Sequence, residues 1–270
     1  MQSISILGAG WLGLPLGKHL GSKKFSVKGS TTRKEKFEQI QENGIQPFLI
    51  KVGNEIDGEN VVDFFDADLL ILNVPPGGRR NPNVEKEHPR QIEAVLAKAK
   101  EGGMTKIIFV SSTSVYGNNN AIVEENTTPN PSTGSGRALV KVEEMLRANS
   151  HFEVTILRMG GLVGGDRKAG RFFAGKKDIP NGLAPINFVH RADGIGVISA
   201  LIEQQIWGET FNVVADKHPT RQLFYQVQAE KQGFEIPTFL EEKTSYKTVS
   251  NEKVKRILKY QFQYANPLDF

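Results

Sequence analysis

Residues 3–20 read SISILGAGWLGLPLGKHL. The run at 4–7 is short and mostly apolar, as a buried strand should be. Gly8, Gly10 and Gly13 follow it, and residues 12–20 then carry Leu12, Leu16 and Leu20 at fourfold spacing, one face of a helix. Pro15 falls in the first turn of that helix, where a missing N–H costs little. In such a strand–turn–helix unit the three glycines do different things. Gly8 permits the tight turn, Gly10 lets main chain approach a pyrophosphate, and Gly13 lets the helix pack close to the strand. The main chain from Gly8 through Trp11 and Leu12 to Gly13 would then meet the anion with free N–H groups and a partial positive charge. The competing reading is a tight turn with no ligand.

Outward from this unit, apolar runs alternate with helical periods. Strands are expected at 25–28, 47–52, 69–74, 106–110 and 154–158, and helices at 34–43, 89–101 and 137–149. Alternation of this kind implies a parallel sheet covered on both faces. Right-handed crossovers make it an α/β doubly wound Rossmann sheet. The pattern loosens after Arg158: residues 159–185 are glycine-rich and weakly periodic, the character of a long loop lining a site. A strand at 187–190, a helix at 192–203 and a strand at 209–214 restore order. The expected organisation is a dinucleotide-binding domain over 1–160 and a smaller α+β substrate-side lobe over 161–270, with a cleft between them. The strand and helix near 186–214 would return to the Rossmann core.

The chain has 270 residues, 39% hydrophobic and 24% charged, with a formal net charge of +4. That composition is ordinary for a globular protein and argues against disorder. The mild positive balance favours anionic small molecules and lacks the dense basic stripe of a nucleic-acid binder. No apolar run reaches the roughly 20 residues that span a bilayer, and the N-terminal region has no signal-peptide pattern. A cytoplasmic protein without membrane or nucleic-acid partners is expected. With no cysteine there is no disulfide, thiol nucleophile or thiolate metal site, and no His/carboxylate cluster has metal-ligand spacing.

The cofactor preference rests on strand two. A bare adenosine ribose calls for an acid at the end of that strand, yet the sequence there reads VKGSTTRKEK, residues 27–36. Ser30, Thr31, Thr32 and Arg33 offer hydroxyls and a guanidinium, which suit a 2′-phosphate. NADP is expected, with NAD the alternative; a solvated helix start is the plain reading of Arg33 and Lys34. Asn73, Val74 and Pro75 at the end of strand four would form a stiff wall beside the cofactor.

Residues 106–120, KIIFVSSTSVYGNNN, carry a family resemblance. A buried strand ending Ser-Ser-x-x-Val-Tyr-Gly resembles the extended short-chain dehydrogenase/reductases, which include sugar-nucleotide epimerases and dehydratases. VTILRMGGLVG, INFVHRADGIGVISALIE, GETFNVVADKHPTRQLF and VSNEKVKRILKYQFQY resemble later segments of the same superfamily, in the same order. The first twenty residues also resemble β-hydroxyacid dehydrogenases, but those lack the serine strand and carry a long helical second domain. The resemblance implies a Tyr-x-x-x-Lys pair on the helix after strand five. Here Ser135 stands at the tyrosine position and Leu139 at the lysine position. An unactivated serine is a poor proton shuttle near neutral pH, and leucine cannot hold a ribose. This departure resembles the atypical, YeeZ-like bacterial group of the superfamily.

The resemblance places Ser111 beside the cofactor and Ser112 at the serine that hydrogen-bonds the reacting oxygen. Ser112 tying the strand to its loop is the plain alternative. Tyr116 is the candidate substitute acid, against a packing role. Arg137, Asp166, Arg167 and Arg171 are candidate substrate-side groups for an anionic small molecule, against mere solvation. His190 reads as a structural histidine, and Lys141 as a residue turned to solvent. Two functions stand open. One is an NADP-dependent oxidoreductase or epimerase/dehydratase-like enzyme of unknown substrate. The other is a non-catalytic NADP-binding or redox-sensing protein. Related folds often dimerise through paired helices, which leaves a homodimer open.

Overall fold

The computed structural model describes residues 2–77 and 81–270. In chain order the strands are β1 (Ser3–Leu7), β2 (Ser26–Thr31), β3 (Gln46–Val52), β4 (Ile56–Gly58), β5 (Leu69–Leu72), β6 (Lys106–Ser112), β7 (Ala121–Val123), β8 (Glu153–Met159), β9 (Gly161–Val163), β10 (Phe188–His190), β11 (Thr210–Val213) and β12 (Lys247–Val249). The α-helices are α1 (Gly13–Ser22), α2 (Phe37–Glu42), α3 (Val61–Phe65), α4 (Val84–Glu101), α5 (Gly134–Ala148), α6 (Arg191–Gln204), α7 (Arg221–Lys231) and α8 (Glu252–Leu258).

Eight strands form one sheet in the order β11-β8-β6-β5-β1-β2-β3-β4. The pairs β1–β2, β1–β5, β2–β3 and β5–β6 are parallel. β5, Leu-Leu-Ile-Leu, is buried at every position, as a central strand covered on both faces must be. The chain runs outward from β1 through β2 to β3, then returns to β5 on the other side of β1. That reversal between β1 and β5 is the topological switch point, where α/β sheets of this kind bind ligands beyond the strand C-termini.

By internal contacts the chain divides into two units, residues 1–111, 131–157 and 205–210, and residues 112–130, 158–204 and 211–270. In the first, α1 buries Leu16, Gly17 and Leu20, and α5 buries Ala138, Leu139, Val142, Glu143 and Leu146. In the second, Val163, Ala169, Ile179, Ile186, Phe224, Tyr225 and Phe239 form an aromatic-rich core. No described helix is long and apolar enough to cross a membrane.

Several elements differ from the sequence expectation. α4 starts at Val84, with Pro89 inside it, rather than at Pro89. Its first turn is held from outside: the main-chain N–H groups of Lys86 and Glu87 donate to Asn83 O, and the Asn81 amide donates to Glu87. The lost Pro89 N–H therefore removes one bond from an already anchored helix. β4 pairs antiparallel with β3 along an edge, where its single charge and its glycine disguise a strand. Within 159–185, expected as loop, Gly161–Val163 pairs in parallel with β10. Partner pairing rather than periodicity orders this segment.

Candidate functional site: a glycine cradle and a serine loop

In the first unit, the loop after β1 and the loop after β5 are tied together. Asn73 Nδ2 donates to Gly8 O at 2.9 Å. Gly8 has φ +108°, and a Cβ there would lie 2.7 Å from Asn73 O, so only glycine fits. A Cβ on Gly13 would run into Gly8 O, which is how closely α1 docks on the turn. Gly10 differs from both: it is exposed, and a Cβ would meet nothing within 4 Å. Protein packing therefore demands glycine at 8 and 13, while the space over Gly10 is open to a ligand.

No side chain caps α1, and its first turn holds no acid. By contrast Thr133 Oγ1 caps α5, and Thr220 Oγ1 caps α7. The first main-chain bond at the turn runs from Leu14 N to Gly10 O at 2.9 Å. Leu12 is buried against the fold, and Trp11 is half-buried. An uncapped N-terminus beside a clear glycine suits an anion, so this cradle fits the pyrophosphate of a dinucleotide.

Ser30, expected to face a ligand phosphate, is instead buried and accepts from Gly8 N at 2.8 Å. Its main-chain oxygen accepts from Ala9 N at 2.8 Å. Ser30 thus holds the glycine loop on β2. Thr31 Oγ1 accepts from Arg33 N at 3.2 Å, shaping the turn. Thr32 and Arg33 are exposed. Arg33 lies 3.8 Å from the exposed Glu35, whereas Lys34 is paired with Glu59 at 2.5 Å. Val74 is half-buried and Pro75 exposed beyond Asn73.

Ser111, also expected beside the cofactor, is buried and donates to Glu143 Oε1 at 2.7 Å. Arg147 Nη2 completes that carboxylate at 2.9 Å from Oε2. Glu143 follows Leu139 by one helical turn, and a lone acid on an otherwise apolar face is the sequence signal for it. Arg137, a candidate for phosphate, donates to Glu85 Oε2 at 2.7 Å, and Lys141 donates to Glu85 Oε1 at 3.0 Å. This fork holds the Glu85 carboxyl below its usual range. Both cations therefore clamp α5 to α4.

In the second unit, Ser112 Oγ accepts from Ser114 N at 3.1 Å and so caps the short turn 113–115. Among the described residues no acceptor takes the Ser112 hydroxyl proton. Tyr116 is buried; its hydroxyl donates to Asn212 Oδ1 at 2.8 Å and accepts from Arg158 Nη1 at 2.7 Å. Burial raises its pKa above the ordinary tyrosine value. Both hydroxyl functions are thus engaged. Arg158 also donates to Glu125 O at 3.1 Å, and Glu125 Oε1 accepts from Asn212 N at 2.7 Å. Burial pushes the Glu125 carboxyl up. Arg158, the single charge inside the apolar run VTILRM, is the sequence cue to this network.

Asp166 lies 4.0 Å from Arg191 Nη1, and Arg167 belongs to the same turn, closed by the Gly164–Arg167 bridge. Burial and neighbouring Arg191 lower the Arg167 pKa against the pull of Asp166, burial being the larger cause. Arg171 is exposed on the turn Ala169–Phe172. His190 stacks on Tyr264 with centroids 3.8 Å apart, and its Nδ1 accepts from Ala192 N at 3.3 Å.

Residues 8–194 match the family model described as NAD(P)H-binding, and the chain belongs to that NAD(P)H-binding family. It is a homologue of protein YeeZ of Escherichia coli (strain K12), 35% identical over 99% of this chain and 98% of the relative. Among solved structures, UDP-glucuronic acid 4-epimerase from Bacillus cereus, in complex with UDP-glucuronic acid and NAD, superposes with TM-score 0.81 at 19% identity, covering 99% of this chain and 96% of that one. A short-chain dehydrogenase/reductase superfamily protein from Agrobacterium tumefaciens with bound NAD gives TM-score 0.80 at 17% identity, covering 99% and 94%. These two likenesses show the fold.

Proposed function

We propose that the protein is an NADP-dependent oxidoreductase or epimerase/dehydratase-like enzyme acting on a small, anionic molecule. The open space over Gly10, set between two glycines closed by packing, carries the reading. Gly10, Trp11 and Leu12 present main chain to the pyrophosphate, while Gly8, Gly13, Ser30 and Asn73 hold that main chain in place. Val74 and Pro75 give an apolar wall. Thr32 and Arg33, exposed where an acid would otherwise stand, take the 2′-phosphate of NADP.

A bound nicotinamide supplies hydride chemistry. Ser112, whose proton is free to donate, orients the reacting oxygen, a role that rests on the resemblance at Ser-Ser-x-x-Val-Tyr-Gly. With Tyr116 held between Asn212 and Arg158, water or a substrate group carries the proton. Arg167 and Arg171 remain candidates for a substrate carboxylate or phosphate.

The same Tyr116 geometry, with Leu139 buried at the lysine position, favours a second reading: an NADP-binding sensor without chemistry. A structure of the NADPH complex separates them. The enzyme reading expects Ser112 Oγ within hydrogen-bond reach of an oxygen placed at the nicotinamide C4. If no hydroxyl or titratable group lies there, the sensor reading stands.

A further inference from the structure

Lys247 belongs to β12, which pairs in parallel with β7, with Lys247 opposite Ala121. The pairing extends further: Asn120 N donates to Tyr246 O at 2.9 Å, and Tyr246 N donates to Asn120 Oδ1 at 2.9 Å. Asn187 fixes the strand from its other side, donating to Lys247 O at 2.9 Å and accepting from Val249 N at 2.7 Å. The lysine backbone is therefore anchored on both sides.

Its side chain is half-buried and runs to the end of the serine loop, where Nζ donates to Tyr116 O at 2.7 Å. An ammonium has three N–H donors, so this main-chain oxygen satisfies one. Among the described residues no carboxylate lies within ion-pair distance of it. Glu125, an acid that acts on Tyr116, is engaged by Asn212 N. Burial alone lowers the Lys247 pKa, with no charged partner acting on it. Taking an ammonium out of water without a counter-charge is costly. Such groups gather at functional sites.

We propose that Lys247 is a substrate-binding cation, which receives an oxyanion, the carboxylate or phosphate of a small molecule, beside the Ser112–Tyr116 loop. The inference rests on the enzyme reading above and adds to it the group that grips the substrate oxyanion. The charge completes the ammonium's coordination while the bond to Tyr116 O keeps it aimed.

Pyridoxal 5′-phosphate, a phosphate-bearing aldehyde, tests this on the full-length protein. Its aldehyde condenses with an unprotonated amine to an imine with loss of water, and borohydride reduces the imine to a stable secondary amine that mass spectrometry maps. At neutral pH Lys247 is expected to be labelled ahead of the exposed Lys23, Lys24 and Lys86. Inorganic phosphate and, in a separate arm, succinate are titrated as protectants. Saturable protection, approaching about tenfold at the highest concentrations, supports the site, and the stronger protectant names the oxyanion. Labelling that neither anion suppresses, or no preference for Lys247, overturns it. NADPH titration of the same protein reads the cofactor reading separately, so the two can fail independently.

Discussion

Asn73 and Gly8 lock the two loops of the switch point to each other: the Asn73 amide donates to Gly8 O at 2.9 Å, and any Cβ on Gly8 would strike Asn73 O at 2.7 Å. The contact leaves no freedom on the protein side of the turn. Asn73→Leu keeps the bulk but removes the donor. It should cost about 1 kcal/mol of stability and weaken NADPH binding, measured by denaturant melts and fluorescence titration.

Gly13 and Gly10 should separate cleanly. Gly13→Ala drives a methyl into Gly8 O and should destabilise the fold by about 1–3 kcal/mol or more. Gly10→Ala meets no protein atom and should leave the melting temperature near wild type, yet lower NADPH affinity about tenfold, a loss near 1.4 kcal/mol. An unchanged affinity for Gly10→Ala would remove the cradle reading.

Tyr116→Phe deletes a hydroxyl bonded to both Asn212 and Arg158. Leaving those two groups short of a partner should cost about 1–3 kcal/mol. NADPH binding should be unaffected. A large loss of turnover at preserved stability, once a substrate is in hand, would restore this tyrosine as the acid.

His88 is buried on α4, and neither ring nitrogen makes a well-formed hydrogen bond. Burial lowers its pKa to about 4, with nearby Gln91 only partly opposing. The folded state thus prefers neutral imidazole, while the unfolded chain takes up a proton near the ordinary value of 6.5. Stability from this group is complete above about pH 6.5 and is lost as pH falls towards 4, by about 3 kcal/mol in all. His88→Leu should flatten that slope in melts between pH 7 and pH 4.

The parallel sheet and the cradle were legible in sequence because apolar runs, fourfold leucines and the Gly8–Gly13 spacing are local patterns. What side chains do across the fold was not. Ser30 and Ser111 look like ligand hydroxyls in a one-dimensional reading, but their partners, Gly8 N and Glu143, lie 22 and 32 residues away. Arg137 and Lys141 acquire meaning only through Glu85 on another helix. The edge strand β4 and the short β7, β9 and β12 are specified by partners rather than by their own periodicity.

The proposed preference for NADP rests most directly on Arg33. Arg33→Ala should weaken NADPH binding severalfold and leave NADH binding nearly unchanged, because on the NADP reading that guanidinium would meet the 2′-phosphate, which NADH lacks.

The most direct measurement is a pair of dissociation constants, for NADPH and NADH, on the wild-type protein under the same ionic conditions. NADPH should bind more tightly, by about tenfold for one charge-assisted contact of 1.4 kcal/mol. Tighter binding of NADH, or no binding of either, would contradict the assignment of the glycine cradle and its basic strand end to NADP.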